Sequence, residues 1–177
     1  MTSDESLRYP IGGSRRAESF TPQERSAAIE GIRQLPQNLR RAVAPLSEEQ
    51  LETPYRPGGW TVRQLIHHVA DSHMNAYVRC KLALTENEPT IKPYMENLWA
   101  ELPEAKSAPV DVSLSLLDSL HRRWMLMLRQ FGDAEWKRTF RHPELGTVSL
   151  EKNLALYAWH GKHHVAHITE LRKKMGW

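Results

Sequence analysis

Cysteine is almost absent. Cys80 is the only one in 177 residues, so no internal disulfide can brace the chain, and its place on the apolar side of a helical pattern marks a small buried residue rather than a nucleophile. Long apolar runs are missing too: no stretch approaches the ~18 residues of a membrane span, and Met1 to Ser6 are polar, without the apolar centre of a secretory signal. Both absences predict a soluble, cytoplasmic protein. Nor does one sign of charge dominate. The 24 basic and 21 acidic residues give a net +3, spread without a basic tail or an aromatic-basic motif, which argues against nucleic acid as a partner. The densest basic clusters are Arg122 with Arg123 and Arg172 to Lys174, and the second suits the last turn of a helix, where cations are favoured. There is no Gly-x-Ser-x-Gly elbow, Walker loop or dinucleotide fingerprint, and Pro57 to Gly59 is an isolated turn.

Periodicity predicts four amphipathic helices in one domain spanning residues 1–177. The first starts at Thr21, an N-cap with Glu24 at the capping-box position, and runs to about Val43 with a kink at Pro36. The second follows Gly58 and Gly59, has Thr61 as its cap and continues to about Leu84. A proline-rich crossover comes next, with Pro89, Pro93, Pro103 and Pro109 and one short helix around residues 96–101. It is expected to pack as a crossover, with Tyr94 and Trp99 as candidates for covering a site mouth. The third helix runs from about Val112 to Phe131, its Leu117, Leu120, Trp124 and Leu128 forming a core stripe. Thr139 to Arg141 and Thr147 to Ser149 then flank a turn and predict a small β-ribbon. The fourth helix runs from about Leu150 to Lys174, ending near Gly176. These elements make an all-α four-helix bundle with a long crossover.

What the chain does have is histidine, nine in all. Four fall between Trp159 and Ile168, where i,i+4 pairs share one helix face within reach of a single ion. At 100° per residue, the stripe of Leu150, Leu154, Tyr157, Ile168 and Leu171 is centred nearest His164, with His160 beside it. His163 and His167 fall further round, toward solvent. In the second helix, Val62, Leu65, Ile66, Val69 and Cys80 define an inward face with His68 at its edge. His67 points nearly the opposite way, beside Arg63, and is expected at the surface. His73 lies on the apolar side, as a core histidine, a support for a ligand, or a reserve ligand.

Several stretches together carry a family resemblance: Tyr9 to Gly12, Thr53 to Gln64, His67 to Asn75, and Trp159 to His164. The chain resembles the DinB/YfiT-like family of small helical metalloenzymes, and the YfiT-type metal-dependent hydrolases most closely. The resemblance implies an up-down-down-up bundle and one divalent metal ion held by three histidines from two helices. Here those residues are His68, His160 and His164, with His67 as the alternative member of the doublet. It also implies self-association in some relatives, so a homodimer is expected.

Three neutral imidazoles leave a net +2 centre with positions open to water, an arrangement suited to catalysis. The expected activity is divalent-metal-dependent hydrolysis of a small molecule through metal-bound water. A metal-dependent S-transferase using a low-molecular-weight thiol is the alternative, since coordination deprotonates sulfur, and a non-catalytic metal-binding protein is a third. Imidazole-only donors suit zinc, nickel, cobalt and copper, with zinc or nickel favoured here. Asp71, near His68 on its helix, is the candidate base or orienting carboxylate. Asn75, Glu151 and His121 are other polar candidates.

Overall fold

The computed structural model describes residues 3–14 and 20–177, with Ser3 and Asp4 as backbone only. The elements are α1 (Ser3–Arg8), α2 (Pro22–Val43), α3 (Glu48–Leu51), α4 (Val62–Thr85), α5 (Glu96–Trp99), α6 (Pro103–Ser107), α7 (Val110–Leu128), α8 (Asp133–Lys137), β1 (Thr139–His142), β2 (Gly146–Ser149) and α9 (Leu150–Met175). Two of the four long helices, α2 and α4, begin where the caps predict. Thr21 and Glu24 close a capping box on α2, and Thr61 and Gln64 close one on α4; each satisfies amide groups that a helix start leaves without partners. At the other end of the chain α9 stops at Gly176, whose φ of 71° is the left-handed conformation that glycine adopts without strain. The short helices α1, α3, α6 and α8 were not legible in the pattern, because each is too short to show a period.

Paired side chains give the directions of the bundle. Along α2 and α9, Arg25 meets Glu151 early and the Ala42 carbonyl meets Arg172 late, so these helices run parallel. In α4 and α7, His67 meets Ser113 and Tyr77 meets Trp124, which is also a parallel pair. Between α4 and α9 the order inverts: His68 faces His160, and Cys80 faces Asn153. The bundle is therefore up-down-down-up, with the crossover 86–109 returning the chain so that α7 can run beside α4. The ribbon β1–β2 is antiparallel, pairing Phe140 with Val148, and it buries both under the end of the bundle.

Two apolar clusters fill the interior. One holds Ile32, Ala76, Tyr77, Leu120, Trp124, Leu154 and Tyr157; the other holds Leu35, Leu39, Leu65, Val69, Leu117, Ile168 and Leu171. At the level between them stand the buried polar residues Ser72, His73, His121 and His164, with the half-buried His160 beside them, on three of the four long helices. A polar layer thus crosses the bundle between two apolar ones. At that level α9 also comes very close to α2: a Cβ at Gly161 would lie 2.7 Å from Leu35 Cδ2, so glycine is what permits the approach.

Candidate metal centre

His68 reaches the bundle interior from α4, and His160 and His164 reach it from α9, one helical turn apart. His68 Nε2 lies 3.3 Å from His160 Nε2, and His164 Nε2 lies 3.1 Å from that same atom. Neighbouring donors in a tetrahedral site with bonds of 2.0–2.1 Å lie about 3.3 Å apart, so His160 already stands at ligand spacing from each of the other two, and nitrogens of all three lie within 4.8 Å of one another. The residues fit a divalent metal. Burial alone pushes His68 down to about 4 and is the main cause holding His160 and His164 well below the usual imidazole range. Near neutral pH all three are therefore uncharged rings able to offer a lone pair.

These rings line a cavity of about 360 Å³, together with Tyr55, Arg56, Trp60, Glu96 and Asn97. The Trp60 ring tilts over His68 at 4.6 Å between centroids, and the Ser72 hydroxyl lies 3.5 Å from His160 Nε2. Tyr94 and Trp99 do not line this cavity; they pack on each other at 4.5 Å, as the crossover reading expects, while Glu96 and Asn97 from the same crossover reach the site. Nothing in the spacing of Glu96 or Asn97 marked them in the sequence.

Several outward placements read from helical phase are corrected. His67 is buried: its Nδ1 lies 2.7 Å from Ser113 Oγ and its Nε2 3.2 Å from the Ala108 carbonyl, because α4 is covered by α7 and the crossover on the face taken as free. Beside it, Arg63 is buried between Glu48 and Glu52. His163 and His167 are buried as well, 7% and 4% exposed. The end of α1 and the segment after it lie over them: His167 Nε2 donates to the Arg8 carbonyl at 3.3 Å, and Trp159 Nε1 donates to the Gly12 carbonyl at 3.1 Å. His163 stacks on Trp159 and His167 on Tyr55. Nitrogens of His163, His164 and His167 form a second group within 4.8 Å of one another, drawn from one helix alone.

His73 is fully buried, and its Nε2 lies 3.3 Å from His160 Nδ1, so it stands behind that ring. Asp71 does not line the cavity; burial, with a smaller contribution from Glu104, raises its carboxyl to about 6. Asn75 donates to the Asp71 backbone carbonyl, and Glu151 is taken by Arg25 at 2.7 Å. Cys80 is buried, as read from its apolar helix position, and burial lifts its thiol to about 12.

Residues 32–168 match the model of the DinB superfamily. The chain belongs to that superfamily. Its relatives include proteins of Bacillus mycoides (strain KBAB4) and Bacillus cereus (strain B4264), each 54% identical over 171 residues, covering 97% of this chain and 98% of theirs. Both carry the name "Putative metal-dependent hydrolase". Among solved structures, YfiT from Bacillus subtilis matches with a TM-score of 0.94 at 48% identity, over 97% of this chain and 99% of that one. That protein is described as "a probable metal-dependent hydrolase with an unusual four-helix bundle topology". The family resemblance and the fold expected from the motifs are both borne out.

Proposed function

We propose that this DinB superfamily member is a divalent-metal-dependent hydrolase of a small molecule, with His68, His160 and His164 as the protein ligands. The observation that carries the reading is the convergence of three uncharged Nε2 atoms, 3.1 and 3.3 Å apart, on the wall of a cavity of about 360 Å³. The names of the relatives support the same activity. An ion held there would act as a Lewis acid, polarising a carbonyl and making water a nucleophile near neutral pH. Zinc or nickel suits three imidazoles.

The chain itself does the rest. Trp60 and Tyr55 give the cavity aromatic walls, which exclude water from one side of a bound molecule. Two carboxylates compete for the role of proton acceptor. Asp71 has the matched acidity, at about 6, whereas Glu96 is the one carboxylate lining the cavity among the described residues. Cys80 is buried and kept as a thiol, so any thiol chemistry needs a second substrate. No described helix is long and apolar enough to cross a membrane, and a cytoplasmic location remains part of the proposal. A homodimer remains the proposed assembly, supported by the exposed apolar residues Val112, Leu116 and Leu126 on one side of α7.

The deciding experiment uses protein purified without an affinity tag, analysed for bound metals, loaded with zinc or nickel and offered esters and amides. Hydrolysis that needs the metal, rises with pH and requires no thiol is the expected result. Inertness toward these, with acceleration of thiol addition to an electrophile, replaces the hydrolase by the S-transferase; inertness toward both leaves a metal-binding protein. Glu96→Gln and Asp71→Asn then separate the two carboxylates by which variant loses kcat.

A further inference from the structure

We propose that a one-way chain of hydrogen bonds, starting at a carbonyl freed by Pro36 and passing through His121 and His73, fixes the tautomer of His160 so that its Nε2 always carries the lone pair. The inference rests on His160 being a ligand. His73 and His121 are positioning residues in it, since neither reaches the cavity.

The chain begins in α2. Pro36 sits inside that helix and has no amide hydrogen, so the Ile32 carbonyl four residues earlier lacks the helical donor it would otherwise accept. His121 Nδ1 lies 2.7 Å from that carbonyl oxygen. A carbonyl can only accept, so the proton must be on His121 Nδ1, and the other nitrogen of a neutral ring must then accept. His121 Nε2 is 3.1 Å from His73 Nδ1; His73 therefore donates from Nδ1 and accepts at Nε2. His73 Nε2 is in turn 3.3 Å from His160 Nδ1, which donates to it. Each ring's tautomer is dictated by the one before, and the dictation ends with a bare Nε2 on His160.

Neutrality is the premise, and burial supplies it: His73 and His121 are 0% and 2% exposed, where an imidazolium would lose its hydration. The alternative tautomer of His160 has real partners, because its Nε2 also faces His68 Nε2, His164 Nε2 and Ser72 Oγ at 3.3, 3.1 and 3.5 Å. A proton on that nitrogen would block coordination. Which nitrogen of a histidine is protonated is set by the hydrogen bond the other makes, and partners behind a metal-binding histidine typically contribute about 10- to 100-fold in affinity. A mid-helix proline that looks like a flaw in α2 thus provides the acceptor that sets the direction of the whole chain.

The test begins with metal-free wild-type protein labelled with nitrogen-15 at histidine, whose long-range proton–nitrogen correlations report the tautomer of each ring. His121, His73 and His160 should all be Nδ1–H; an Nε2–H form at His73 or His160 overturns the proposal, whatever happens to metal binding. His121→Leu, folded by circular dichroism, should mix the tautomers of His160 and weaken zinc binding about 10- to 100-fold, while His121→Gln, which can donate and accept, should recover most of that loss. Unchanged zinc affinity in folded His121→Leu also overturns it. If His121→Leu fails to fold, the wild-type tautomers decide. The ligand assignment is tested apart from this by His160→Ala: stoichiometric metal in that variant removes the ligand reading while leaving the tautomer result standing.

Discussion

Replacing Gly161 by Ala sets a small gain against a larger loss. Alanine in a helix interior is favoured over glycine by about 1 kcal/mol. The new Cβ, however, would stand 2.7 and 2.9 Å from the two Leu35 methyl carbons, inside contact distance, and Leu35 is only 3% exposed, so it has no solvent to move into. Inserting one methyl into a packed core costs about 1 to 3 kcal/mol, which leaves a net loss of up to about 2 kcal/mol. For a chain of this length each kcal/mol corresponds to roughly 2–4 °C in Tm. Gly161 also lies between His160 and His164, so displacing α9 from α2 moves two of the three converging nitrogens, and zinc affinity should fall with stability. Thermal unfolding of Gly161→Ala, Leu35→Ala and the double variant forms the test cycle: the truncation alone costs about 2 to 5 kcal/mol, and the added methyl should then fill part of the void. A favourable coupling of about 1 kcal/mol or more is expected. Additivity within about 0.5 kcal/mol, or a single variant more stable than wild type, would refute the close-approach argument.

His68→Ala, His160→Ala and His164→Ala should each lose stoichiometric metal by elemental analysis, whereas His67→Ala should keep it and lose stability instead, because it leaves Ser113 without its 2.7 Å partner; greater metal loss from His67→Ala than from His68→Ala reverses the doublet. The metal-free protein should weaken in acid: the folded pKa of His68 and of His163 lies near 4, below the ordinary 6.5, so their neutral forms are favoured above 6.5 and that stability drains as pH falls from 6.5 toward 4. Denaturant midpoints that stay flat across this window would contradict the burial of neutral rings. Asp71 has the opposite sign, because its folded pKa is raised from 3.8 to about 6: its ionisation costs stability as pH rises through that interval, so Asp71→Asn should stabilise at pH 7.5 by about 1 kcal/mol after solvent screening and have little effect at pH 4. Light scattering at micromolar concentration should give a dimer mass, and Leu126→Lys should shift it to monomer; a wild-type monomer ends the dimer proposal.

The long helices could be read because each carries a period, and Thr21 and Thr61 cap the starts of α2 and α4 as well; the bounds expected for α4 and α9 agree with the structure within about two residues. Phase could choose His68, His160 and His164 as inward because those rings face the apolar stripe itself. It failed for His67, His163 and His167 for one shared reason. A helical wheel assumes a single buried face, but 16 of the 24 residues of α4 are buried, and α9 is roofed by the end of α1 and the segment after it through Arg8 and Gly12. Which loop will fold over a polar face is a tertiary property, and no local period records it. Glu96 was invisible for the same reason, since the crossover brings it to the cavity from 28 positions beyond His68.

The polar layer is where this fold departs from what stability alone would select. The clusters around Trp124 and around Leu65 would merge into one core if the level of His73, His121, His160 and His164 were filled with aliphatic side chains. A buried imidazole without its hydrogen bonds costs about 1–3 kcal/mol, and the Nδ1 atoms of His163, His164 and His167 are buried with no hydrogen-bond partner among the described residues. The apolar halves on either side carry that cost, with Trp124, Leu117 and Ile168 essentially fully buried. Rigidity is what the two halves return: rings on helices packed above and below cannot spread, so the 3.1 and 3.3 Å separations of the proposed ligands hold without an ion. Binding then loses little to reorganisation, and an ion that binds only the folded chain adds to its stability in proportion to the logarithm of its concentration. If the proposed ligands hold an ion, a bundle split by a histidine layer is weakest without it, and the rise in Tm on adding zinc, abolished in His160→Ala, measures how much of the fold the site holds together.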